Sequence, residues 1–148
     1  MTTKQQLLQI CNTHVENRIK DYKNGIELLK ESLENNDKPN NEDDDSGNGK
    51  LMNDLEKNIG YLNEARKTQE YLKLVKTNLL SPNVALGSLV KTDSLQFFIA
   101  ISLGKIELDG DTFYVISLQS PIGQLLKQKI VGDRFEFNGT KYIVTEVD

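Results

Sequence analysis

Four consecutive carboxylates, Glu42-Asp43-Asp44-Asp45, carry the most evident chemistry in this sequence. Hard divalent cations take oxygen donors of this kind. Only Lys38 offsets them and Asp37, so Asn35 to Gly49 has a net charge of −4, equal to that of the whole chain. Two readings follow. The run is a solvated linker that keeps one end of the molecule soluble, or it delivers carboxylates to a distant cationic or metal-containing site. A calcium-loop pattern is partial: Asp44-x-Ser46-x-Asn48-Gly49 followed by Leu51 fits, but Leu55 stands where a bidentate Glu is needed. No stable metal site of the chain's own is expected. Cys11 and His14 lie three residues apart, but no second Cys or His exists to complete a zinc site. They read as a packed or flanking pair.

The elements that must position the acids are two helices. Leu8, Val15, Tyr22 and Leu29 recur every seven residues, with Ile19, Ile26 and Leu33 as the second line and Asn12 as a polar seam position. Asn35-Asn36-Asp37-Lys38-Pro39 stops this helix. A second series, Met52, Leu55, Ile59, Leu62, Ala65, Leu72, Val75 and Leu79, drifts in register near Val75 and ends at Ser81-Pro82-Asn83. Each helix is roughly 40 Å long at ~1.5 Å per residue. Similar lengths and facing seams predict an antiparallel coiled-coil hairpin over residues 1–80. Its acidic tip loop spans 36–50, where like charges disfavour helix between Asn40 and Gly49. Dimerisation through one helix is the rival arrangement.

After Pro82 the pattern changes to short β-branched and aromatic runs: Val84–Val90, Leu95–Leu103, Ile106–Leu108, Phe113–Ser117, Arg134–Phe137 and Tyr142–Val147. Asp109-Gly110 and Asn138-Gly139 read as tight hairpin turns. Asn138-Gly139-Thr140 also matches a glycosylation acceptor, but the turn reading is preferred. Ser120 is a good N-cap and Pro121 a favoured first helical residue, so one short helix interrupts the strands. Residues 84–148 therefore read as an antiparallel α+β domain. The adjacent Phe97 and Phe98 should face opposite ways, one into the core and one outward.

Composition excludes several classes. Hydrophobic residues make up 37%, below the ~45–50% of an ordinary globular chain. The net charge of −4 argues against a free, sequence-specific nucleic-acid-binding domain. No window approaches the ~18 apolar residues of a membrane span. The N-terminal residues are charged and amphipathic rather than a leader, and the lone Cys11 suits a reducing compartment. A cytoplasmic, monomeric protein is expected.

Ser120-Pro121-Ile122-Gly123-Gln124-Leu125-Leu126-Lys127-Gln128-Lys129, followed by Val131-Gly132-Asp133-Arg134-Phe135-Glu136-Phe137, resembles the C-terminal domain of bacterial Gre-type transcription elongation factors (the GreA/GreB family). Their pattern is a Ser-Pro-x-x-x-x-Leu-x-x-Lys helix before a Gly-Asp-x-hydrophobic-x-hydrophobic strand. Leu86-Gly87-Ser88-Leu89-Val90 is similar to their opening Gly-Ser-x-Val strand, and Ile101-Ser102-Leu103-Gly104 to their Ile-Val-Gly turn. The resemblance implies an FKBP-like fold for residues 84–148. It also implies docking on the rim of RNA polymerase's secondary channel, with Ser120, Pro121, Ile122 and Gly123 as docking candidates. The hairpin would then enter the channel, where Asp43, Asp44 and Asp45 could share the polymerase's magnesium. The chain would be no enzyme of its own and carry no cofactor. The family's cleavage-competent tip reads Gly-Asp-x-x-Glu-Asn-x-Glu-Tyr, whereas this chain has Asn41-Glu42-Asp43-Asp44-Asp45-Ser46-Gly47-Asn48-Gly49. Channel occupancy with little cleavage stimulation is the expectation. An FKBP-like fold does not bring prolyl isomerase activity without an aromatic-lined pocket. The alternative from another class is a coiled-coil adaptor whose β domain binds protein and whose acidic segment is only a linker.

Overall fold

The computed structural model describes residues 1–36 and 45–148. The elements are α1 (Thr3–Asn36), α2 (Asp45–Leu72), β1 (Leu89–Thr92), β2 (Gln96–Ile99), β3 (Gly104–Leu108), β4 (Asp111–Ile116), α3 (Pro121–Leu126), β5 (Arg134–Phe137) and β6 (Thr140–Val147). The chain is α+β, a long N-terminal helical hairpin followed by a mostly antiparallel sheet with one short helix. By compactness it divides into two units, Thr13–Glu70 and the union of Met1–Asn12 with Tyr71–Asp148.

Within the first unit, Tyr22 meets Tyr61 with ring centroids 5.6 Å apart. A Cβ placed on Gly25 would lie 3.4 Å from Asn58 Oδ1. Three residues forward on α1 thus correspond to three residues back on α2, the mark of an antiparallel pair. Val15, Ile19, Ile26, Leu62 and Ala65 are buried along the seam. The seam of α2 differs from the expected one. Leu51, Leu55 and Asn58 are part-buried at four- and three-residue steps, continuing to Leu62 and Ala65. Met52 and Ile59 instead lie 47% and 41% exposed. Leu51 and Met52 are both apolar and left two registers open there, whereas at 58/59 the polar Asn58 takes the seam in place of Ile59, opposite Gly25, which leaves it room. At the start of α1 the buried line is Leu7 and Cys11 rather than Leu8 and Asn12.

Both helix ends differ from the sequence reading. Helix α2 starts at Asp45, so Asp45–Gly49 is helical where charge repulsion predicted loop. A helix start offers unpaired N–H groups and a partial positive charge, which favour acidic residue types there. At the other end α2 stops at Leu72, short of Ser81. Leu74 N–H donates to Tyr71 O at 3.0 Å and Val75 N–H to Leu72 O at 3.1 Å, tightening the last turn to i→i+3 spacing. The break coincides with the drift at Val75, which is buried, while Leu79 is exposed. Helix α1 begins with a reciprocal cap. Thr2 Oγ1 accepts the Gln5 N–H at 3.2 Å, and Gln5 Oε1 accepts the Thr2 N–H at 2.9 Å.

The second unit holds a six-stranded sheet in the order β3-β4-β2-β1-β6-β5. All pairings are antiparallel except β2 with β4, which is parallel. The chain leaves β2, forms the edge strand β3, and returns as β4 between the two. Strands β1 and β2 are shorter than expected, because residues 84–88 and 100–103 leave the regular ladder and keep only isolated bonds to it, among them Ile99 N–H to Ser88 O at 3.0 Å and Leu103 N–H to Val115 O at 3.1 Å. Gly87 N–H donates to Ile99 O at 2.8 Å, and Ala100 N–H to Ile116 O at 2.8 Å. Both hairpin turns are confirmed: Asp109 and Gly110 have φ 52° and 82°, and Asn138 and Gly139 φ 50° and 80°.

The core of this unit groups Val84, Val90, Phe97, Ile99, Leu126, Phe135, Tyr142 and Val144, with Ile122, Tyr114 and Ile116 packed against it. Phe135 and Tyr142 stack at 5.0 Å. Contrary to the expectation of one outward phenylalanine, Phe97 and Phe98 are both buried, at 2% and 0% exposure. Leu89 and Val115 are buried as well, so the sheet centre is covered on both faces.

Candidate docking surface

Helix α3 is built from its first residues outward. Ser120 is extended (φ −66°, ψ 157°), and its Oγ accepts the Gly123 N–H at 3.0 Å, satisfying one of the first-turn donors. The same hydroxyl donates to Ser117 O at 2.7 Å. Ser120 N–H reaches Ser117 Oγ at 3.2 Å, and Ser117 Oγ lies 3.1 Å from Ser102 Oγ. Three serines thus tie the helix start to the end of β4 and the loop before β3. Pro121, at the first helical position, is exposed; Ile122 is half-buried against the core.

Gly123 is buried, and a Cβ there would collide with the Ser117 carbonyl oxygen and stand 2.9 Å from Leu118 Cα. Its glycine identity is set by this close backbone approach. Among the four docking candidates, Pro121 is therefore the exposed side chain, Ser120 shapes the turn, and Gly123 seats the helix.

Three of the tip acids, Glu42, Asp43 and Asp44, lie outside the described residues, and Asp45 is the first residue of α2. The suggestion that Asp43, Asp44 and Asp45 share a magnesium ion therefore rests on sequence. Among the described residues no group of three or more His, Cys, Asp or Glu side chains could hold a metal. Cys11 is fully buried, and desolvation pushes its thiol up to about 11. It is a packed core residue, in line with the sequence reading. Lys4 is buried too, with Nζ donating to Leu79 O at 3.3 Å. Burial lowers its pKa, partly opposed by the Asp148 charge.

A groove of about 330 Å³ runs over the β5–β6 hairpin, bounded by Asp93, Arg134, Glu136, Lys141 and Ile143. Phe135 and Tyr142 border it, but both are only 8% exposed and belong to the core. Four of its seven bordering residues are charged and its two aromatics are core residues, unlike the aromatic-walled pocket a prolyl isomerase needs. No helix among the described residues is long and apolar enough to cross a membrane.

No family model matches this sequence, and no curated protein matches it. Among solved structures, the transcription factor Gfh1 aligns with 93% of this chain and 92% of its own, at 14% identity and a TM-score of 0.41. That superposition is too loose to carry functional weight.

Sequence reasoning passed over the corner after α3, where Ile130 and Val131 are 45% and 58% exposed. The available signal was an apolar pair set immediately before Gly132-Asp133, a turn sequence in which apolar side chains have no core to enter.

Proposed function

We propose that this chain is a Gre-like transcription factor that binds RNA polymerase's secondary channel and modulates elongation. Residues 84–148 supply the docking surface, and the hairpin of residues 1–80 presents Glu42, Asp43, Asp44 and Asp45 near the polymerase active site. The observation that carries this reading is the Ser120–Phe137 motif. Its helix-then-strand pattern coincides with capped α3 followed by β5, in a chain whose N-terminal half is an antiparallel hairpin. Physically, carboxylates brought beside a catalytic magnesium can add a ligand or orient a water. The chain itself acts as no enzyme and works on its partner's catalytic centre, as a cytoplasmic monomer.

The test is co-purification with core RNA polymerase, for the wild type and for a variant with Glu42–Asp45 neutralised and Ser120-Pro121 replaced by alanine. Binding lost in that variant supports the proposal; no binding of the wild type at micromolar concentration refutes it. Transcript-cleavage assays on stalled complexes should show weak stimulation or none, because the tip lacks the family's pattern. If shortening residues 36–50 leaves the effect on transcription unchanged, the acidic segment is only a linker and the tip role is wrong.

A further inference from the structure

Between α3 and β5 the chain turns a corner that is tightly held yet apolar on its outside. Lys129 N–H donates to Leu126 O at 3.0 Å, Gln128 N–H to Val84 O at 2.9 Å, and Val84 N–H to Lys129 O at 2.8 Å. Gln128 and Gly132 adopt left-handed conformations, φ 68° and 95°. Asp133 closes the tip: its Oδ2 accepts the Ile130 N–H at 2.9 Å, and its N–H donates to Ile130 O at 3.1 Å. Gly132 N–H then anchors the turn to Val144 O at 2.8 Å.

This fixed backbone holds Ile130 and Val131 in water at 45% and 58% exposure, with Leu125, on the preceding helix, at 38%. None of the three belongs to the unit's core group. Turn tips ordinarily carry polar residues, so neither folding nor solubility accounts for two β-branched side chains here. The charge is also local. From Ser81 to Asp148 acids outnumber bases, yet Leu125–Val131 holds Lys127 and Lys129 and no acid. The nearest carboxylate in sequence, Asp133, is occupied in closing the turn.

We propose that the Leu125–Val131 corner is a docking surface for a protein partner whose facing surface is apolar at its centre and rimmed by carboxylates. The apolar centre and lysine rim match the usual division of an interface into a desolvated core and a polar edge. A preorganised turn adds little ordering cost on association. The inference rests on the proposed function, in which that surface belongs to RNA polymerase. It adds Ile130, Val131, Lys127 and Lys129 to the exposed Pro121 as the groups that make contact.

The experiment measures binding of the full chain to core RNA polymerase by biolayer interferometry over a range of salt concentrations. The variants are Val131→Asp, the pair Lys127→Glu with Lys129→Glu, and the conservative Val131→Ile. Circular dichroism checks that each folds; Val131 and Lys127 are exposed and Lys129 is half-buried. Val131→Asp should weaken binding by about tenfold or more, and Val131→Ile should stay within about twofold. The lysine pair should slow association and flatten the salt dependence. Wild-type binding that persists unchanged in Val131→Asp and in the lysine pair overturns the corner while leaving the proposed function standing. Failure of the wild type itself to bind overturns both.

Discussion

Replacing Gly123 by alanine tests how α3 is seated. The added methyl would collide with the Ser117 carbonyl oxygen and stand 2.9 Å from the Ser117 carbonyl carbon and from Leu118 Cα. All of these are backbone atoms that cannot rotate away, so the helix start or the 117–118 segment must shift. Overpacking of this kind costs ~1–3 kcal/mol. A shift also strains the Ser120 cap, whose bonds to Gly123 N–H and Ser117 O are 3.0 and 2.7 Å. Loss of a cap costs ~1 kcal/mol, so a total of ~3 kcal/mol is expected, a large part of a typical domain's ~5–15 kcal/mol. Urea melts followed by circular dichroism and tyrosine fluorescence would measure it. Hydrogen exchange at Val84, Lys129 and Val144 should accelerate in parallel, since their amides donate to Lys129 O, Leu126 O and Asp133 O and so hold the segment that follows α3. Ser120→Ala alone should cost ~1 kcal/mol, and the double variant less than the sum, because both act on one turn. A Gly123→Ala cost below ~1 kcal/mol, with Ser120→Ala still costly, would refute the close Ser117–Gly123 approach.

Three further outcomes follow from the geometry. Gly60 has open space where a methyl would stand, so Gly60→Ala should raise stability by up to ~1 kcal/mol in thermal melts; Gly25→Ala should gain less, since its methyl meets Asn58 Oδ1 at 3.4 Å. The folded chain holds the Cys11 proton up to about 11 against an ordinary 9.0, so stability is unaffected by this group below pH 9.0 and falls as pH rises toward 11. The loss should be up to ~2 kcal/mol, and Cys11→Ala should remove it. Lys4 acts with the opposite sign, its folded pKa lying below 10.5, so the difference between wild type and Cys11→Ala isolates the thiol. Gly139→Ala, at φ 80°, should cost ~1 kcal/mol in urea melts through strain in the β5–β6 turn.

What the sequence made legible was whatever has a local cause. Asn138-Gly139 and Asp109-Gly110 specify positive φ and gave the turns; Ser120-Pro121 specifies a cap and gave α3. The hairpin emerged from heptad spacing, but its register did not. Leu51 and Met52 offer an apolar side chain to either choice, and at 58/59 apolar spacing favours Ile59, whereas the room at Gly25 admits the polar Asn58. The end of α2 at Leu72 escaped for a similar reason, since Leu79 and Leu80 continue the apolar pattern without being buried. The burial of both Phe97 and Phe98 depends on what covers each face of the sheet, which alternation along one strand cannot reveal. In the candidate site, the residue types of Ser120–Gly123 were readable. The buried, backbone-crowded role of Gly123 and the exposure of Val131 required the fold.

The meeting of Gly25 with Asn58 also acts as an index mark for the hairpin. Sliding α2 by a turn would move the Asn58 amide from the gap at Gly25 to the side chains of Tyr22 or Leu29, trading an accommodated polar group for a crowded one. Each such step would displace the far ends of the helices by ~5.4 Å. The reach of the stretches Gly25–Asn36 and Asp45–Asn58 is therefore counted from one polar notch. Lengthening or shortening the segment that joins them would leave that reach unchanged.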